Sequence, residues 1–296
     1  MTENQASRLG ERGAGERQRL TLERVVSPWH SLPVRMAAFV SFLYLAMRLA
    51  EMHVVAPSRG ALAGAIALEL LFSMGIVYYA CRIRAALSAE LGALMVFVAL
   101  WVLFSFVFTG LGEGARISQM AAQICLLYAA AFFGQLLARA VSGPSILLPL
   151  AVVAALFDVA YLLGGPTGRL LETAPDLYVR LSVGMGGFAG EAPARVVGMG
   201  VGDVLLLAVL IAAVQRFGLN ARGTFWWAFP LALTGLLVAA GGWPVPGVVP
   251  IVVGFVLANA GSFRFTRQEK QAMLYAGVIL CLVLPLLLVA FSVVGR

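Results

Sequence analysis

From Pro33 onward the chain is a succession of nine apolar runs, at residues 33–55, 60–80, 87–110, 117–138, 144–164, 196–215, 225–242, 247–262 and 272–294. Most approach the roughly 20 residues that an α-helix needs to cross a bilayer. The eighth, between Pro246 and Gly261, is the short one. This pattern leaves few folds open. Hydrophobic residues make up 61% of the chain and charged residues 12%, more apolar surface than a soluble protein can hide. With 32 Gly, 13 Pro and no alternating short-strand pattern, a β-barrel is disfavoured as well. The class that remains is all-α, a polytopic membrane bundle of about nine transmembrane helices.

Residues 1–32 are polar, rich in Arg, Glu and Gly, and lack the apolar core of a cleavable signal peptide, so they read as a mobile, retained tail. Residues 33–140 then hold a four-helix membrane scaffold, and residues 141–296 the remaining five runs. The net charge of +7 would suggest nucleic acid in a soluble chain. Here the basic residues sit between apolar runs, where they set topology within a lipid bilayer, and no nucleic-acid partner is expected. Fourteen Lys and Arg fall on the side of the N-terminal tail and six on the other, leaving out Arg48 inside the first run. The positive-inside rule therefore makes the N-terminus cytoplasmic and, with nine spans, the C-terminus external.

Cys81, Cys125 and Cys281 have no paired spacing and read as small hydrophobes. With His30 and His53 as the two histidines, neither a zinc site nor a histidine-based triad has enough ligands or partners, so no metal and no cofactor is expected. Chemistry is better sought where the sequence accepts an ionisable group in hydrocarbon, at a cost of at least a few kcal/mol. Of the three aspartates, Asp158 and Asp203 fall inside apolar runs, and Asp176 does not. Neither intramembrane acid has a basic residue within helical reach on its own segment. Glu69 reads as a partner in an interhelical hydrogen bond, and Arg48 with Glu51, three residues apart, as a helical ion pair.

Two carboxylates brought together at low dielectric do not readily both ionise, and a shared proton results. That state suits water activation: the ionised acid takes a proton from water while the protonated one polarises a carbonyl. Gly198, Gly200 and Gly202 precede Asp203 and are expected to loosen its helix, each by about 1 kcal/mol relative to Ala. The stretch Gly241 to Pro250 holds three glycines and three prolines in ten residues. It is expected to exclude regular helix and offer backbone to an extended substrate. Between the acids, Thr173 to Arg195 is Gly-rich and reads as a flexible linker or gate.

In order along the chain, Phe157-Asp158, then Gly200-Val201-Gly202-Asp203, then the Pro244 to Pro250 stretch resemble three motifs of one family. These are the Tyr-Asp, Gly-x-Gly-Asp and Pro-Ala-Leu motifs of the presenilin and signal peptide peptidase superfamily of intramembrane aspartyl proteases. The run G-P-T-G-R-L-L-E-T-A, Gly165 to Ala174, is similar to a G-P-L-R-M-L-V-E-T-A stretch after the first acid of presenilins. The resemblance covers residues 145–262. Phe157 stands where the family has tyrosine. The proline motif has three competing alignments, Pro244-Val245-Pro246, Pro246-Gly247-Val248, and Gly247-Val248-Val249 before Pro250. The charge count orients the Asp158 helix as in signal peptide peptidases, whereas the L-E-T-A stretch is similar to presenilins.

The resemblance implies a presenilin-like bundle whose catalytic acids are Asp158 and Asp203. It implies transmembrane-helix proteins as substrates and, for a bacterial or archaeal homologue, the plasma (inner) membrane of a prokaryote. Phe157, Gly200, Val201, Gly202 and residues Pro244, Val245, Pro246, Gly247, Val248 and Pro250 would shape the site or bind substrate. Two other readings of the acids stay open. A proton- or cation-coupled transporter also places acids beside broken helices. A prepilin-peptidase-like protease also carries Gly-x-Gly-Asp, although Leu205 stands where that family usually has lysine.

Overall fold

The computed structural model describes residues 31–51, 59–108, 114–164, 180–185, 197–243 and 245–263, together with Arg267 and Gln271. Among these residues the chain is mostly helical, with eight α-helices: α1 Leu32–Glu51, α2 Arg59–Ala80, α3 Leu87–Val102, α4 Gly114–Ala140, α5 Pro144–Gly164, α6 Val201–Arg216, α7 Ala221–Ala240 and α8 Val248–Asn259. A π-turn, Leu103–Val107, extends α3, and a 3-10 turn, Ala260–Ser262, extends α8. Five helices are long and apolar enough to cross a membrane: α1, α2, α3 with its π-turn, α4 and α7. The run expected at 272–294 lies outside the described residues, as do His30 and His53.

α6 is the axis of the bundle. From Val204 to Val214 every residue but Leu205 is buried, which is the mark of a helix packed on all sides. α2, α4, α5, α7 and α8 surround it. Where two apolar helices gain little from leaving lipid, small residues and close backbones hold them together. Gly134 of α4 sits against α6 so closely that a Cβ there would lie 2.6 Å from the Ala208 Cβ. In the same way Gly254 of α8 lies on the backbone of Trp227 and Ala228 in α7. The α7–α8 turn passes through Gly242 at φ +93°, a left-handed conformation that favours glycine.

Several charges within the bundle are paired. Arg48 of α1 donates to Glu51 at 3.1 Å and to Glu69 of α2, and all three residues are buried. The Tyr44 hydroxyl beside them donates to Gln123 Oε1 of α4 at 2.8 Å. The helical ion pair read from the sequence thus forms, and Glu69 bonds across helices. Arg139 of α4 binds Glu90 of α3 at 2.7 Å, and Arg216 donates to the carbonyls of Ala138, Arg139 and Val141 at the C-terminal end of α4. A cation at a helix C-terminus satisfies carbonyls that have no partner within the helix.

Four expectations about local structure are corrected. The sixth run does not start as helix: residues Val197–Gly200 are a strand, β2, paired antiparallel with β1, Ser182–Met185, in the register Ser182 with Gly200 and Gly184 with Gly198. β1 falls inside the stretch read as a flexible linker. The glycines before Asp203 therefore do not loosen a helix. Gly198 lets two strands approach, since a Cβ there would lie 3.1 Å from the Gly184 Cα, and Gly200 is the N-cap of α6. Finally, Val248 to Pro250 form the first turn of α8, where a proline has no intrahelical hydrogen bond to lose.

Replacing Gly134 by Val is expected to destabilise the protein by about 1–3 kcal/mol through overpacking against Ala208. Gly92→Ala in α3, where a Cβ meets nothing within 4 Å, is expected to leave stability unchanged or slightly raised. Thermal unfolding of both variants in the same detergent checks the contrast.

Candidate active site

Asp158 lies two turns from the C-terminal end of α5, and Asp203 is the third residue of α6. α5 packs on α6 and α8, and α6 packs on α8, so the three helices converge where α6 and α8 begin. Helix starts expose N–H groups that no residue of the helix can accept, and these starts are supplied by carboxylates. Asp203 Oδ2 accepts from the N–H of Gly200, its own N-cap, at 3.0 Å. Asp158 Oδ2 accepts from the N–H of Val248, the first residue of α8, at 2.9 Å. One aspartate thus caps the helix that carries it, and the other caps a helix ninety residues further along the chain.

The two acids meet at Gly247. A Cβ built on this residue would collide with the Asp203 carboxylate, lying 2.6 Å from Cγ and 2.8 Å from Oδ1. Its neighbour Val248 holds Asp158, so two consecutive residues of backbone touch both carboxylates. Among the described residues no group of three or more His, Cys, Asp and Glu side chains comes together to hold a metal ion.

The other residues singled out from the sequence divide around this point. Gly200 supplies its N–H, and a Cβ on it would touch Asp203 Oδ2 at 3.6 Å. Val201 donates its N–H to Leu181 O at 2.9 Å, tying the start of α6 to β1. Gly202 is exposed with open space around it and makes no contact with the acids through a side chain. Val245 and Pro250 pack over Gly235 of α7, Pro246 is half-buried, and Pro244 lies outside the described residues. Phe157 is exposed, on the face of α5 turned away from the packed interior. Of the three alignments of the proline motif, Pro246-Gly247-Val248 and Gly247-Val248-Val249 both contain the two residues that touch the acids, and Pro244-Val245-Pro246 contains neither.

The strand pair beside Asp203 was not foreseen. A signal for it exists in the repeated tripeptide Val-Gly-Met, at Val183–Met185 and Val197–Met199, which pairs with itself in antiparallel register. The two copies are separated in sequence, and nothing local marks them as partners.

Comparison of the chain with protein-family models, with curated proteins and with solved structures finds no match in any of the three.

A Gly247→Val variant is expected to drive the Asp203 carboxylate off the Gly200 N–H and to lower any activity that needs both acids by at least about tenfold, since small displacements of reacting groups are costly. Gly202→Ala, with free space for its methyl, is expected to stay within about twofold of wild type. Activity assays paired with thermal unfolding separate displacement of the carboxylate from loss of fold.

Proposed function

We propose that this protein is an intramembrane aspartyl protease of the presenilin and signal peptide peptidase type, hydrolysing peptide bonds within transmembrane segments of other membrane proteins. The observation that carries the reading is the convergence of Asp158 and Asp203 on Gly247 and Val248. The order of the motifs in the sequence and the five helices long and apolar enough to cross a membrane support it.

In this reading a water lies between the carboxylates, which share one proton. The ionised acid removes a proton from the water as oxygen attacks the scissile carbonyl, and the protonated acid donates a hydrogen bond to the developing oxyanion. Collapse of the tetrahedral intermediate breaks the C–N bond, and a proton passes from the dyad to the leaving nitrogen. Which acid plays which part is a property of the coupled pair. The Val248 and Gly200 N–H groups fix Oδ2 of each carboxylate.

A peptide bond inside a substrate helix is shielded by its hydrogen-bonded turn, so cleavage requires local unwinding. The β1–β2 ladder runs into the start of α6, and a two-stranded ladder has a row of backbone groups along each outer edge. An extended substrate segment pairing along that ladder is led towards Asp203. In this reading the enzyme resides in the plasma (inner) membrane of a prokaryote, and the distribution of basic residues favours a cytoplasmic N-terminus.

Purified protein in lipid, supplied with a single-span reporter, is expected to cut inside the apolar span. Asp158→Asn and Asp203→Asn are each expected to reduce the rate by at least about a hundredfold while remaining folded and membrane-inserted. Chelators are expected to have no effect. Product masses locate the cut. Proton or cation flux that needs both acids, in the absence of any cleavage, would replace this reading with that of a coupled transporter.

A further inference from the structure

α3 ends in a π-turn whose side chains grip the chain just before β1. Residues five apart point about 140° away from each other on an α-helix, but the i to i+5 geometry of a π-turn brings them to one side. Trp101 and Phe106 accordingly meet edge to face, with ring centroids 6.1 Å apart. The Ser118 hydroxyl of α4 donates to Phe104 O at 2.7 Å, satisfying a carbonyl within the widened turn. Arg180 sits in this aromatic corner. Its guanidinium lies 4.7 Å from the centre of the Phe106 ring, and its carbonyl accepts from the Trp101 indole N–H at 3.4 Å.

The residues after Arg180 lead directly to the catalytic acid. The Leu181 carbonyl accepts the Val201 N–H at 2.9 Å, which fixes the first residue of α6. Ser182 is in register with Gly200, and the Gly200 N–H holds Asp203 Oδ2. Three consecutive residues therefore connect the π-turn of α3, an element with no other part in the site, to the atom that orients Asp203. The links are a cation–π contact, hydrogen bonds and one strand pairing, and they run without a break from Phe106 to Asp203.

We infer that Arg180 is a positioning residue for the catalytic dyad, anchored by the Trp101–Phe106 corner and acting on Asp203 through Leu181, Ser182 and Gly200. It touches neither acid. Its role is to hold β1 against β2 so that Gly200 presents its N–H in a fixed place. The inference rests on the protease reading for its effect on rate, but the mechanical coupling is independent of that reading.

The test uses the full chain in lipid with Arg180→Ala, Arg180→Lys and Trp101→Phe. Amide hydrogen exchange is measured at residues 197–203, and the pH–rate profile of reporter cleavage is recorded. Arg180→Ala is expected to speed exchange at Gly200 and Val201, to lower kcat by about tenfold, and to move the pH–rate profile along the pH axis. A variant that merely left fewer molecules folded would scale that profile without moving it. Arg180→Lys, which keeps the charge but stacks less well, is expected to fall between wild type and Arg180→Ala. Trp101→Phe deletes one donor and keeps a ring, so it is expected to give a smaller change of the same kind. It carries the test if Arg180→Ala proves too unstable to purify. Unchanged exchange at Gly200 and Val201 in the folded variants overturns the inference, as does an unmoved profile in variants that lose activity. Absence of cleavage by wild type counts against the protease reading alone, and the exchange data then decide the anchor.

Discussion

A backbone N–H that has left water needs an acceptor, and two helices of this protein begin where the chain itself must supply one. The first turns of α6 and α8 lie within the bundle, packed against each other and against α5. Asp203 answers for α6 and Asp158 for α8. An unpaired buried N–H costs about as much as a lost hydrogen bond, so each carboxylate stabilises the fold at the place where it would act. The same bonds orient the carboxylates. Proximity of the acids then follows from the packing of the two helix starts, with Gly247 between them lacking the Cβ that would force Asp203 aside.

α6 is short for a helix that would cross a bilayer alone. Sixteen residues of helix rise about 24 Å, less than the roughly 30 Å of a bilayer core. β2 continues the segment in extended form, and β1 satisfies its backbone. Irregular or extended backbone at membrane depth is tolerated when protein covers it. α2 and α4 both contact β1 while also flanking α6, so the strand pair is held by the helices that pack on α6. The anchor at Trp101, Phe106 and Arg180 extends that support to α3.

Farther from the acids, the buried Arg48 serves Glu51 and Glu69 at once and joins α1 to α2. Removing one partner of such a group leaves an uncompensated charge, at a cost of about 3–5 kcal/mol. The cluster fixes the relation of the two helices through direction and charge, which uniform apolar packing cannot do as selectively. Tyr44 and Gln123 carry the same specification to α4, the neighbour of α6.

Much of this was legible from the residues alone. Runs of apolar residues near 20 long made the helical class unavoidable, because a helix closes its own hydrogen bonds and needs no distant partner. Asp158 and Asp203 stood out because the apolar runs around them offered no local counter-charge. The role of Gly198 was misread, since a glycine before an acid looks the same whether it loosens a helix or admits a second strand. What the sequence by itself determined was therefore the helical class and the placing of two acids in apolar segments, each of which depends on local composition. The tertiary structure decided that Val197–Gly200 pair with Ser182–Met185, that Asp158 caps α8 at Val248, and that Gly247 lies against the Asp203 carboxylate. Those are contacts between residues far apart in the chain, and they exist because the packing of α5, α6 and α8 brings unsatisfied backbone groups to one point.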